Sequence, residues 1–364
     1  MPPSPKPYIG KLVAGVHGGI DYAELEKLGV EPDKVVDFSV CTNPFVPPPY
    51  ARKALQHAKL ECYPDSRSTV LRRALAAYSG VEEGNVLVSS GSTDLIRMAA
   101  LAYTGPGDTV VIPQPAYGDY EIACRLSGAS VVDRPRAGGN DLQLDLPEIV
   151  SVLKRRQPRL LFLCNPNNPT GQYFSRQDVE SVLGASLETL VVLDEAYASF
   201  VAERWSSEAL LDRRNLLVVR SMTKDYALAG LRLGYALAHQ PIIHVLERVQ
   251  SPWSVSSAAQ SAGLAALEAA GYLEKCRRRI KKAKGFLIRE LKLLGLRPLP
   301  SAANFFLVRV GNATQFRRGL LRCGFLVRDC ASFGLPEYIR LGVRTVPECR
   351  KLIEAIKSSG VLKQ

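Results

Sequence analysis

Between residues 86 and 219 the chain returns repeatedly to short, almost unbroken apolar runs. They are Val86-Leu87-Val88, Thr109-Val110-Val111-Ile112, Leu160-Leu161-Phe162-Leu163, Leu190-Val191-Val192-Leu193 and Leu216-Leu217-Val218-Val219. Each is too short for a stable helix and lacks the alternation of a strand with one wet face, so each reads as a strand covered on both sides. Stretches with helical spacing separate them, among them Leu71 to Tyr78 and Asp94 to Tyr103. Strand and helix in alternation predict an α/β domain: a mostly parallel central sheet sandwiched by helices.

Beyond Pro298-Leu299-Pro300 the pattern changes. Asn304 to Val310, Gly324 to Val327 and Tyr338 to Val343 read as strands around a helix at Gln315 to Cys323, which predicts a smaller α+β domain. Ser254 to Leu294 reads as one long helical stretch able to bridge the two. The expected division is an N-terminal arm (1–45) packing with the small domain, a large domain (46–255), and a bridging helix with the small domain (256–364). At 364 residues and 46% hydrophobic content, there is chain enough for two cores.

The net charge of +12 invites a nucleic-acid or membrane reading. The densest basic run, Arg277 to Lys284, lies within helical spacing and has no aromatic residues interleaved as a nucleic-acid platform would. An exposed helix face is the simpler account. The eight cysteines form no CxxC pair and the histidines do not cluster, which argues for reduced thiols and against a disulfide frame or a metal site. The proline-rich lead Met1 to Pro7 has no apolar core of a signal peptide, and no apolar run has membrane-spanning length. A cytoplasmic protein is expected, with neither nucleic acid nor membrane as partner.

Ligands of open α/β sheets bind outside the carboxyl ends of the strands. Four of the apolar runs end there in polar clusters: Ser90-Gly91-Ser92-Thr93, Asn165-Pro166-Asn167-Asn168-Pro169-Thr170-Gly171, Asp194-Glu195-Ala196-Tyr197, and Arg220-Ser221-Met222-Thr223-Lys224. Together they offer a phosphate cradle, an amide, a carboxylate with a phenol, and a lysine. Pyridoxal phosphate needs that set. Its aldehyde takes a lysine, its ring nitrogen a carboxylate, its ring oxygen an amide and a phenol, and its phosphate a helix start with hydroxyls and an arginine.

In order and spacing, these clusters, followed by Gly230-Leu231-Arg232-Leu233-Gly234, resemble the fold-type-I pyridoxal-phosphate enzymes of the class I/II aminotransferase family over almost the whole chain. The resemblance implies that Lys224 carries the cofactor as a Schiff base and later shuttles the proton at Cα. It places Asp194 on the pyridinium nitrogen, with Asn168 and Tyr197 at the ring oxygen. Ser92, Thr93, Ser221, Thr223 and Arg232 would hold the phosphate, and Tyr117 would stack on the ring. Tyr63 would reach the cofactor phosphate of a second subunit, implying a homodimer.

The reaction is set by which Cα bond stands perpendicular to the ring, and so by how the rest of the substrate is gripped. Here the arm's His17-Gly18-Gly19, Asp37-Phe38-Ser39 and Asn43-Pro44, with Pro252-Trp253-Ser254-Val255, Val327-Arg328-Asp329-Cys330 and Tyr338-Ile339-Arg340, look more like threonine-phosphate decarboxylase of the cobalamin pathway than like histidinol-phosphate aminotransferase. Val40-Cys41-Thr42 departs from that pattern. By this resemblance His17, Asn43 and Arg328 would hold a substrate phosphate, while Arg340, with Asn168 nearby, would grip the carboxylate. The expectation is decarboxylation of O-phospho-L-threonine to (R)-1-amino-2-propanol phosphate. The alternatives are histidinol-phosphate transamination, phosphoserine decarboxylation, and a non-catalytic regulator that binds pyridoxal phosphate.

Overall fold

The computed structural model describes residues 3–10, 12 and 15–363, so Met1 and Pro2 of the proline-rich lead lie outside the described residues. The arm contributes a two-residue strand, β1 (Val36–Asp37). Seven strands then form the large sheet: β2 (Val86–Ser89), β3 (Thr109–Val111), β4 (Ser130–Val131), β5 (Leu160–Cys164), β6 (Leu190–Asp194), β7 (Leu216–Ser221) and β8 (Gly234–Ala238). Their order is β2-β8-β7-β6-β5-β3-β4. Only β8 runs antiparallel to its neighbours. The carboxyl ends of β2, β5, β6 and β7 therefore share one edge.

The apolar runs are covered on both faces, as their composition requires. Leu161, Leu163, Val191, Leu193 and Val218 point into one core. Their neighbours Leu160, Phe162, Leu190, Val192, Leu217 and Val219 point into the other. That is the two-residue period of a strand with no wet side. The sequence reading found neither β4 nor β8. β4 is only two residues long, and β8 follows directly on a glycine-bounded loop whose residues read as a ligand motif.

In the small domain, β9 (Arg297–Pro298), β10 (Phe305–Arg309), β12 (Arg328–Asp329) and β13 (Tyr338–Gly342) make an antiparallel sheet. β11 (Phe325–Leu326) pairs in parallel with β1, which ties the arm to this domain. The expected single helix from Ser254 to Leu294 is instead two, Ser257–Leu267 and Tyr272–Leu293, parted at Gly271 with φ of +69°. The first buries Ala259, Ala262 and Ala266 in the large-domain core beside Leu71 and Leu75. The second buries Ile280, Leu287 and Leu291 in the small-domain core.

The basic run on the second helix is not wholly a solvated face. Lys284 turns inward and donates to Ser301 O (2.6 Å) and Ala303 O (2.7 Å), and burial lowers its pKa to about 8. Among the described residues, no helix is long and apolar enough to cross a membrane. No cluster of His, Cys, Asp and Glu among them is built to hold a metal ion.

Candidate active site

At the shared edge, Asp194 closes β6 and is 4% exposed. Its Oδ2 accepts a hydrogen bond from Tyr120 (2.6 Å), and its Oδ1 accepts one from the backbone N–H of Ala196 (2.9 Å). Burial raises its pKa, and these two donors oppose the rise. A buried carboxylate that only accepts hydrogen bonds suits a ring N–H cation. Tyr120 is itself 1% exposed and stacks on Phe162 with centroids 4.8 Å apart, so its hydroxyl has little freedom to move. It was missed in the sequence, although Tyr117-x-x-Tyr120 at the opening of a helix is a visible signal: residues three apart share a helix face.

Lys224 sits in the short helix Met222–Asp225 that follows β7, and burial lowers its pKa. Its backbone carbonyl accepts from the N–H of Asn43 (2.7 Å). Tyr197, after β6, is 7% exposed and packs edge-on to Phe305. Tyr117 lies within hydrogen-bond reach of Thr93 Oγ1 (3.3 Å), and its phenol is pushed up chiefly by burial.

A cradle for a phosphate is built around the start of the helix Ser92–Tyr103, whose free N–H groups favour an anion. Arg232, held at φ of +55°, donates to Thr223 Oγ1 (3.3 Å) and Ala229 O (3.2 Å). Two glycines make the close approach possible. A Cβ on Gly234 would lie 2.7 Å from the backbone N of Ser92, and one on Gly91 would lie 2.9 Å from Arg232 Nη2. Ser221 Oγ is buried there without a partner. An orphaned hydroxyl beside an arginine and a helix start fits a bound phosphate, and Asp194, Tyr197 and Lys224 line the same hollow. The residues present therefore fit pyridoxal phosphate.

Beneath the strand ends lies a buried ion cluster that the sequence did not reveal. Arg220 donates to Glu195 Oε2 (2.9 Å), Glu208 Oε1 (2.6 Å) and Ser207 Oγ (3.0 Å), fixing the residues next to Asp194 and Ser221. Burial alone would raise the pKa of Glu208, but hydrogen bonding and charge from Arg220 outweigh it and hold the pKa at about 2. The folded chain thus binds fewer protons than the unfolded one between that value and the ordinary 4.5. The stabilisation is complete above about pH 4.5 and is lost as pH falls toward 2. In Glu208→Gln, urea midpoints should lose part of this acid dependence.

From the hollow, a cavity of about 820 Å³ opens between the arm, the large domain and the small domain. Arg340 on β13 is 5% exposed, directly across from Arg328 on β12. It donates to Asn168 Oδ1 and to Ser39 O (2.8 Å), while its Nε is buried without a partner. Arg328 donates to Val16 O (2.8 Å) and Ser332 Oγ (2.6 Å), and burial followed by the charge of Arg340 lowers its pKa. Two guanidinium groups side by side repel unless an anion joins them.

His17 also reaches the cavity, with Nε2 at 3.6 Å from Asp119 Oδ1. Asn43 does not. Its amide donates to Asp225 O (2.7 Å) and Tyr272 OH (3.2 Å), and its Oδ1 accepts from Phe45 N (3.2 Å). In this structure the Asn43 side chain ties the arm to the Lys224 turn. Tyr63 lies outside its own chain's cavity, 79% exposed and stacked on Trp253 at 4.5 Å.

Sheet order, strand-end lysine and aspartate, and glycine-shaped phosphate cradle define a fold-type-I pyridoxal-phosphate enzyme. The family model for aminotransferase class I and II matches residues 33–356, and the chain belongs to that family. The histidinol-phosphate aminotransferase of Symbiobacterium thermophilum is 37% identical over 360 residues, covering 97% of this chain and 96% of that protein. Among solved structures, histidinol-phosphate aminotransferase from Sinorhizobium meliloti in complex with pyridoxal-5'-phosphate has a TM-score of 0.88 at 26% identity, covering 98% and 97% of the two chains. The L-threonine-O-3-phosphate decarboxylase from Porphyromonas gingivalis has a TM-score of 0.75 at 26% identity, covering 89% and 99%.

These comparisons overturn the expectation of phosphothreonine decarboxylation for cobalamin synthesis. Further relatives at 33% to 35% identity share the histidinol-phosphate aminotransferase name. The misreading has a physical source. Both activities need a phosphate site and a pyridoxal-phosphate site, so anion-binding His and Arg residues do not by themselves separate the two.

Proposed function

We propose that this protein transfers the amino group of histidinol phosphate to 2-oxoglutarate. The observation that carries the reading is the cross-strand pair Arg328 and Arg340, with the unpartnered Arg340 Nε, facing the cavity beside Lys224. A phosphate dianion suits two adjacent guanidinium groups, and the same pair suits the carboxylates of the second substrate. The similarity to named histidinol-phosphate aminotransferases supports the choice.

Pyridoxal phosphate, when bound, supplies an electron sink conjugated to the substrate's Cα. Asp194 would hold the ring nitrogen protonated, with Tyr120 fixing the carboxylate. Asn168 and Tyr197 would attend the ring oxygen, and Tyr117 would pack against the ring. Ser92, Thr93, Ser221, Thr223 and Arg232 would hold the phosphate group. Histidinol phosphate has no carboxylate on Cα, so the C–H bond is the one to break, and Lys224 Nζ takes that proton. The depressed basicity of a buried amine suits a base that must also release its proton near neutral pH.

The test supplies histidinol phosphate with 2-oxoglutarate and measures glutamate. Acceptor-dependent turnover is expected, and CO2 release from phosphothreonine without an acceptor would overturn the reading. We further propose a homodimer, supported by the exposed apolar side chains Val46, Tyr50, Leu60 and Tyr63 on one stretch of chain. Sedimentation should give twice the 39.8 kDa chain mass, and a monomer would refute it.

A further inference from the structure

Histidinol phosphate branches at Cα: one arm carries the phosphate, the other an imidazole. The arginine pair accounts for the phosphate, which leaves the imidazole to be placed. One further wall of the cavity is the opening of the helix Asp119–Leu126, which presents Asp119 and Ile122 beside Tyr117. That is a carboxylate, an aliphatic side chain and an aromatic ring, the combination that suits a flat, weakly basic N–H heterocycle.

Asp119 is 6% exposed, and among the described residues no arginine or lysine pairs with it. The other carboxylate on this wall, Glu121, is already held by Arg125 at 2.6 Å and by Arg134 at 2.8 Å, and its pKa is lowered accordingly against the effect of burial. A carboxylate buried at a cavity wall without a cation is costly, and its natural complement is an N–H donor supplied by a ligand. Two ionisable side chains stand beside it: the Tyr117 phenol, whose pKa is raised by burial and further by Asp119, and an imidazole. His17 of the arm places Nε2 3.6 Å from Asp119 Oδ1, with its ring centroid 5.9 Å from that of Tyr117. The distance is longer than a hydrogen bond, and the His17 side chain remains 49% exposed, so this contact does not tie up the carboxylate.

We propose that Asp119 is the specificity-determining residue that reads the substrate's imidazole, accepting its N–H while the ring lies against Tyr117. His17 occupies the approach to this position from the arm. The substrate's ring is expected to move it outward toward solvent or to pack beside it. The inference rests on the histidinol-phosphate reading above.

The discriminating measurement is a ratio. The kcat/KM for histidinol phosphate is compared with that for 2-aminopropyl phosphate, which keeps the amine and phosphate but lacks the ring. A site built to hydrogen-bond a group rejects the analogue that lacks it. The unmodified protein should prefer histidinol phosphate, and Asp119→Asn should shrink that preference by about 10- to 100-fold. Asp119→Glu, which keeps the charged carboxylate that Asn lacks, should restore part of it. Equal loss for both substrates in Asp119→Asn would assign Asp119 a structural role and overturn the proposal. An unchanged ratio would overturn it as well. If the unmodified protein turns over neither compound, the parent reading fails instead, so the two failures are distinguishable.

Discussion

Lys224→Ala is expected to lower turnover by at least about 10⁴-fold and to abolish covalent retention of the cofactor. On the proposed function the lysine has two duties, and alanine removes both. It would anchor the cofactor's aldehyde through Nζ and carry the proton at the substrate's Cα, a role worth about 10²- to 10⁴-fold by itself. Among the described residues, no second lysine lines the hollow. Among the groups that surround the hollow, Tyr117 and Tyr197 are pushed above the ordinary phenol range by burial, and Arg232 is a guanidinium that stays protonated. Borohydride treatment followed by mass spectrometry of the chain checks the anchoring. The cofactor mass should be fixed on the unmodified protein and absent from the variant. Retention of the added mass in Lys224→Ala would remove the lysine from its place. Lys224→Arg serves as a companion, because it keeps the positive charge while offering no amine for the aldehyde. It should fail as completely as alanine.

The inner site was legible in the sequence because its parts hang on strand ends. A strand covered on both faces is almost continuous in apolar residues, so its end is marked by the first polar cluster, and that is where Asp194 and Lys224 stand. The helix start at Ser92 was marked in the same way. What stayed hidden depends on contacts far apart in the chain. Tyr120 gains its meaning only through a hydroxyl that meets Asp194 across 74 residues. Glu195 and Arg220 look like ordinary charged neighbours of the motifs until the fold buries them together. Asn43 shows the same limit: an amide in an arm loop can face a ligand or hold a turn, and here it bonds Asp225 O. The substrate was misread because phosphate recognition is common to the enzymes compared. Arg328 and Arg340 announce an anion, not the group at the other end of the molecule.

Asp194→Ala is expected to reduce kcat by about 10²- to 10³-fold, equivalent to about 3–4 kcal/mol of transition-state stabilisation. The loss has to exceed that of an ordinary hydrogen bond. In the proposed site the carboxylate would keep a ring nitrogen protonated, and charge-assisted bonds in a low-dielectric site are roughly twice as strong as neutral ones. Stability should move less than activity. Alanine strands the Tyr120 hydroxyl without its acceptor, at a cost of about 1–3 kcal/mol, but it also removes a buried carboxylate whose burial is unfavourable enough to raise its pKa. The two effects oppose each other, so the urea midpoint should shift only modestly while turnover collapses. Tyr120→Phe separates position from charge. It keeps the ring stacked on Phe162 and leaves the carboxylate in place, but deletes the 2.6 Å bond that aims it. A loss of about 10-fold is expected, of the order of one hydrogen bond, together with a shift in the pH dependence of the cofactor's visible absorbance. A purely structural role for Tyr120 would lower stability and leave that titration unmoved. If Tyr120→Phe were as damaging as Asp194→Ala, the phenol itself would be the group that the ring nitrogen needs, and the carboxylate would be its support.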